Sequence, residues 1–137
     1  MNSKNTLLGL GVALLMVVPA LHADTSAHAA IVKERDTVLA RIVADIESRY
    51  SVGTADEEAV SAAKLSLLAF RRDAASAASE KLKQQELVVA LQEKRLSTLK
   101  ARSLAGTTDS LDVLRATDAV LAAKQRLEEM KAAAKKG

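Results

Sequence analysis

Few side chains in this sequence are of the types that do covalent chemistry. His28 is the only histidine after residue 23, and there is no cysteine. A thiolate nucleophile, a Ser-His-Asp set or a histidine-based metal site therefore has too few residues to draw on. The carboxylates come in short runs, Asp56-Glu57-Glu58 and Glu128-Glu129. Acid–base work by such groups needs a pocket that tunes them. The first run is better placed to favour the positive end of a helix that starts beside it, and the second is expected on a solvated face. Lys131, Lys135 and Lys136 lie near the C-terminus. A helix C-terminus favours such charge, and contact with anionic lipid is the functional alternative. No catalytic, cofactor-binding or metal-binding residue is assigned, and the chain is not expected to be an enzyme. The one group suited to recognition is Gly106, Asp109, Ser110, Asp112 and Arg115. A glycine, two capping side chains and an opposite-charge pair at i, i+3 make a capped turn with local charge pairing.

The elements that must position this turn are helical. After residue 23, glycine occurs only at 53, 106 and 137, and proline does not occur. The chain is thus cut into three segments. Segment A covers about 26–50, with Ile31, Val32, Val38, Leu39, Ile42, Val43, Ile46 and Tyr50 as a broad apolar stripe. Gly53 suits the left-handed residue that closes a helix. Segment B follows at once, opened by Thr54 and Glu57 as a capping box, and runs to about 104. Its seam is Val60, Ala63, Leu67, Phe70, Ala74 and Ala77. After a one-residue slip it resumes at Ala78, Leu82, Val89, Leu96 and Leu99, with Gln85 and Gln92 between. Because alanine is the best helix former, "AASAAS" (74–79) is read as continuous helix. Segment C follows Gly106, capped by Asp109 or Ser110. Its seam is Val113, Ala116, Val120, Ala123, Leu127, Met130 and Ala134, at coiled-coil spacing. Leu111, Leu114 and Leu121 fall outside that seam, and a helix apolar on two sides must be packed on two sides.

The expected fold is all-α: elongated antiparallel helical hairpins or a coiled coil, with one long helix flanked by two shorter ones. At 1.5 Å per residue, B would be roughly 75 Å long and A and C roughly 38 Å each. A and C would then lie end to end along B. Such a rod has little interior, so the chain is expected to form a homo-oligomer. The two glycine turns also resemble each other. "VGTADEEAVSAAKLSLLA" (52–69) and "AGTTDSLDVLRATDAVLA" (105–122) align without gaps at an offset of 53, an internal repeat of a helix-turn-helix unit.

Composition and the N-terminus bound the setting. Lys4, the apolar run Leu7 to Val18, Pro19 and "ALHA" form the pattern of a signal peptide over 1–23, with Ala20 as the alternative last residue. The helical domain is then 24–137. Export is implied, with a bacterial periplasm the favoured compartment and at most peripheral association with the outer membrane. Lys4 is the one charged residue before Asp24, so a formal net charge of +3 becomes +2 after cleavage, spread along the chain. No nucleic-acid partner is expected from that. The only aromatic residues are Tyr50 and Phe70, and the Ala/Leu/Lys/Glu/Arg mixture is that of long helices.

"GTTDSLDVLRATDAVLAAKQRL" (106–127) resembles the TolC family of outer-membrane efflux channels. Members carry a Gly, a short polar turn, an Asp-Val-Leu run and an Ala/Gln-rich helix. "YSVGT" (50–54) and "EKRLSTLKARSLAG" (93–106) look like the family's approaches to such turns, and the resemblance covers 80–137 best. It implies that the turns lie at the periplasmic end of a helical barrel, where hairpins form the channel entrance and meet an efflux adaptor protein. The tip residues Gly106, Asp109, Ser110, Asp112 and Arg115 would be that contact. In the family pattern two acidic residues, three apart, follow the turn. Asp112 matches the first, whereas Arg115 stands at the second. The alternating strands of a transmembrane barrel are not in this sequence. The expected function is that of a small periplasmic helical protein related to efflux channels, as an efflux-system component or truncated channel module. The alternative is a periplasmic structural or chaperone-like coiled coil without a transport role. The helical hairpin of an efflux adaptor is a third reading, which the missing flanking β-domain halves disfavour.

Overall fold

The computed structural model describes residues 20–136, with side chains from 25 onward. Residues 1–19, most of the expected signal peptide, lie outside the described residues. Among the described residues four helices follow one another: α1 (Ala20–Ser51), α2 (Glu57–Ala74), α3 (Ala78–Leu104) and α4 (Ser110–Ala134). The chain is all-α, with no strand among the described residues.

Cross-helix pairs show that each helix runs antiparallel to the one before it. Asp36 and Glu47 of α1 meet Arg71 and Lys64 of α2. Glu58 and Arg72 of α2 meet Arg95 and Gln85 of α3. Ala78 and Leu82 at the start of α3 lie by Met130 and Ala134 of α4, while Arg102 at its end lies by Asp112. Backbone packing joins α1 to α2, α2 to α3 and α3 to α4, and no other pair. The result is an up-down-up-down row of helices, with α1 and α4 at its two open edges.

This corrects the expectation of one long helix over 54–104 flanked by two shorter ones. Ala75 (φ −64°, ψ 137°) and Ala77 (φ −78°, ψ 133°) are extended, and the chain reverses between them. Alanine's advantage is only a few tenths of a kcal/mol per residue over most residue types, which tertiary burial readily exceeds. The reversal lays Leu65 and Leu68 of α2, with Leu82 of α3, against a core of Val88, Val89, Ala123 and Leu127. Segments A and C therefore do not lie end to end along B.

The seam of α4 is as expected at its centre: Ala116, Val120, Ala123 and Leu127 are buried. Gln85 is 1% exposed. Its amide nitrogen donates to the Ala123 carbonyl (2.8 Å), and its oxygen accepts from Arg72 (2.8 Å). One satisfied buried glutamine thus ties α2, α3 and α4 together. Among the described side chains of α1 none is buried: Val32, Leu39, Val43 and Ile46 are half-buried against α2, while Ile31, Val38, Ile42 and Tyr50 are exposed.

Candidate docking end

The two glycine turns close their helices alike, hydrogen bond for hydrogen bond. Gly53 (φ 74°) and Gly106 (φ 71°) both adopt the left-handed conformation. The Gly53 N–H donates to the Tyr50 carbonyl and the Thr54 N–H to that of Arg49 (3.0 and 2.9 Å). Gly106 to Ser103 and Thr107 to Arg102 repeat this at 3.0 and 2.9 Å. The crossed pair of bonds is the Schellman closure of a helix. In each turn the threonine hydroxyl donates to the same arginine carbonyl, at 3.1 Å for Thr54 and 3.0 Å for Thr107. Two residues beyond each threonine an aspartate caps the next helix. Asp56 accepts from the Ala59 N–H (2.7 Å) and Asp109 from the Leu111 N–H (3.1 Å). The closing bonds and the capping aspartates are related by the offset of 53 read from the sequence, whereas the capped N–H lies three residues after Asp56 and two after Asp109.

The Thr54–Glu57 capping box is therefore corrected. Thr54 belongs to the end of α1, since its hydroxyl is committed to the Arg49 carbonyl. Asp56 takes the cap because α2 begins only at Glu57. The Glu57 carboxylate reaches Arg102 of α3 instead (3.5 Å).

That last contact locates the two turns. α1 ends and α2 begins where α3 ends and α4 begins, so both turns lie at one end of the row of helices. The sequence-expected tip residues sit there: Gly106, Asp109, Ser110 and Arg115 are exposed and Asp112 is half-buried. Ser110 is the first residue of α4 rather than its cap, and its hydroxyl donates to Asp109 (3.2 Å). Arg115 pairs with Asp112 at 3.4 Å, the i, i+3 contact expected from the sequence. The structure adds Glu57, Glu58, Arg95 and Arg102 to this end. Arg95 grips both carboxylate oxygens of Glu58. Glu58, Arg95, Leu99, Arg102, Asp112 and Arg115 line a recess of about 280 Å³ at the surface. These extra residues escaped the sequence reading because a continuous segment B puts the two turns at opposite ends. The repeat was the available signal: two like hairpins joined by a reversal present their turns on one side.

Chemically the end is a set of mutually paired opposite charges around two exposed turns. It holds no histidine or cysteine, and no group of three metal-ligating side chains occurs among the described residues. His28 lies away from it, in a groove with Val32, Asp36, Phe70, Arg71 and Gln84 toward the other end. The carboxylates with perturbed pKa values are also in that half. The Asp36 carboxyl is held below the usual range by its hydrogen bonds from Arg71 (2.6 and 3.0 Å), with burial opposing. Asp73 is lowered by its hydrogen bonds from Arg72, with Arg126 and Lys81 adding attraction. Lys131, near the end of α4, pairs with Glu128 (2.9 Å). No described helix is long and apolar enough to cross a membrane. No protein-family model, curated protein or solved structure matches the chain.

Proposed function

We propose that the chain is an exported, periplasmic, elongated helical-hairpin protein related to TolC-like efflux channels. It acts as an efflux-system component or channel module that docks its turn end on an efflux adaptor. The observation that carries this reading is the pair of Gly-Thr-x-Asp turns, built alike and set side by side with exposed polar residues around them. A single helix reversal needs only one such turn. Two matched turns on one face make a repeated, rigid surface of the kind a repeated partner hairpin fits. Asp112 and Arg115 supply its polarity, and Asp109 and Ser110 fix the geometry of the helix start from which they project. Association with the outer membrane is at most peripheral, and no cofactor is required.

The test exchanges the pair, Asp112→Arg with Arg115→Asp. The i, i+3 attraction is kept while its polarity at the surface is reversed, so thermal stability should stay within about 0.5 kcal/mol. Binding to an efflux adaptor encoded beside this protein should be lost. Binding that survives the exchange, or absent from the parent protein, would instead support a periplasmic structural or chaperone-like coiled coil. That second reading is favoured by one observation: Asp112 with Arg115 and Glu57 with Arg102 already satisfy one another.

A further inference from the structure

The row of helices stops at two edges that are still apolar. On α4, Leu114 and Leu121 are 65% and 60% exposed, and Leu111 lies beside them. On α1, Ile31 is 63% exposed and shares a face with exposed Val38 and Ile42. The internal repeat says what each face is for. Adding 53 to an α2 residue gives its α4 counterpart, and subtracting 53 from an α3 residue gives its α1 counterpart. Leu111, Leu114 and Leu121 are the counterparts of Glu58, Ser61 and Leu68. All three of these face α3: Glu58 pairs with Arg95, Ser61 is buried beside Thr98 and Leu99, and Leu68 packs on the core holding Val88. Ile31, Val38 and Ile42 are the counterparts of Gln84, Leu91 and Arg95. These face α2 in turn, Gln84 beside Ala74, Leu91 beside Val60, and Arg95 on Glu58.

We infer that α4 of one copy packs against α1 of a second copy in the register of the α2–α3 interface, joining chains head to tail. The occupant of each open edge is the other edge of the same protein. The α2–α3 contact within the chain is the template, so the interface continues a packing already present. In that register Leu111 meets Ile42 of the second copy where Glu58 meets Arg95, and Leu114 meets Val38 where Ser61 neighbours Leu91. A charge match follows as well. Leu65 and Val88, packed in one core, have Asp118 and Arg35 as counterparts, so opposite charges fall together at the centre of the new interface. Because the two surfaces differ, the contact is heterologous: copies close into a ring or extend as a file, and no two-fold dimer forms. This inference deepens the self-association expected of the chain and does not rest on adaptor docking.

The test uses the Glu58–Arg95 pair as a design. Leu111→Glu and Ile42→Arg are made singly and together, with circular dichroism confirming that each stays helical. Sedimentation of the parent at micromolar concentration should show association. Each single variant places a charge opposite an aliphatic side chain and should weaken association about tenfold or more. The double variant recreates a Glu–Arg pair across copies and should recover to within about threefold of the parent. The chain lacks cysteine, so Ile42→Cys and Leu111→Cys proteins give a second readout. Mixed, they should form a disulfide-linked dimer, and each alone should form little. A monomeric parent, a double variant no better than the singles, or Leu111→Cys crosslinking to itself as readily as to Ile42→Cys would overturn the inference. None of these outcomes depends on an adaptor, so failure here is distinct from failure of the docking reading.

Discussion

At residue scale the two turns depend on a few atoms. Gly53 and Gly106 have no neighbour where a Cβ would sit, so their requirement is the positive φ and not space. Gly106→Ala should therefore cost about 1 kcal/mol through backbone strain alone, and Gly53→Ala a similar amount. Asp109→Ala removes a cap worth about 1 kcal/mol. Denaturant titration checks all three, and an unchanged midpoint for Gly106→Ala would contradict the turn geometry. Buried Gln85 is a different case, because both ends of its amide are engaged. Gln85→Leu fills similar volume but leaves Arg72, whose side chain is 11% exposed, without that acceptor. A loss of about 1–3 kcal/mol is expected. Asp36 and Asp73 set the acid limb of stability. Both carboxyl pKa values are lowered in the folded chain. Their contribution is complete above the ordinary aspartate value near 4 and is lost as pH falls through the lowered values. The two carboxylates are more than a third exposed to solvent, so each pair is worth at most about 1 kcal/mol. Thermal melts from pH 7 to pH 2 should show Asp36→Asn with Asp73→Asn destabilised at neutral pH and flatter below pH 4.

At the scale of elements, the segment 74–79 separates two accounts of the chain. If α2 and α3 were one helix, proline at 78 would remove a hydrogen bond and clash with the preceding turn, costing about 3 kcal/mol. In the reversed chain Ala78 is the first residue of α3, where proline is favoured. Ala77 before it already has the extended conformation that a following proline demands. Ala78→Pro should be neutral, or stabilising by up to about 1 kcal/mol. A loss near 3 kcal/mol would restore the long helix. The same segment marks the limit of what the sequence discloses. Helix ends at Gly53 and Gly106 were readable because only glycine takes positive φ cheaply, and the α4 seam because a 3-4 spacing of Ala116, Val120, Ala123 and Leu127 has one interpretation. The reversal was concealed because alanine and serine carry no turn chemistry of their own. Its trace was the one-residue slip between Ala77 and Ala78, which now proves to be the place where the seam changes partner. The Asp109 cap and the Asp112–Arg115 pair were legible from residue type and spacing. Glu57, Glu58, Arg95 and Arg102 were not, since their convergence depends on that concealed reversal.

For the whole molecule, the uneven burial along the row predicts an uneven stability. No described α1 side chain is buried, whereas Val88 and Val89 of α3 and Ala116, Val120, Ala123 and Leu127 of α4 form most of the core. α1 is held chiefly by half-buried Val32, Leu39, Val43 and Ile46 and by ion pairs from Asp36 and Glu47 to α2. Arg35 lying 4.7 Å over the Phe70 ring adds a contact at the surface, of the order of 0.5–1 kcal/mol. Local opening free energies follow buried apolar contact, so the α3–α4 hairpin should be the last unit to open and α1 the first. Native-state hydrogen exchange at low concentration should show α1 amides least protected and the centres of α3 and α4 most protected. Raising the concentration should then distinguish an edge helix from a merely frayed one. If α1 is covered by α4 of the next copy, protection should rise at Ile31 to Ile42 and at Leu111 to Leu121 together. It should change little on α2, whose two faces are already occupied within the chain. A rise confined to α4 would mean that α1 stays uncovered and that α4 meets another surface. A uniform rise over all four helices would mean that association stabilises the chain as one cooperative unit, with no loosely held edge.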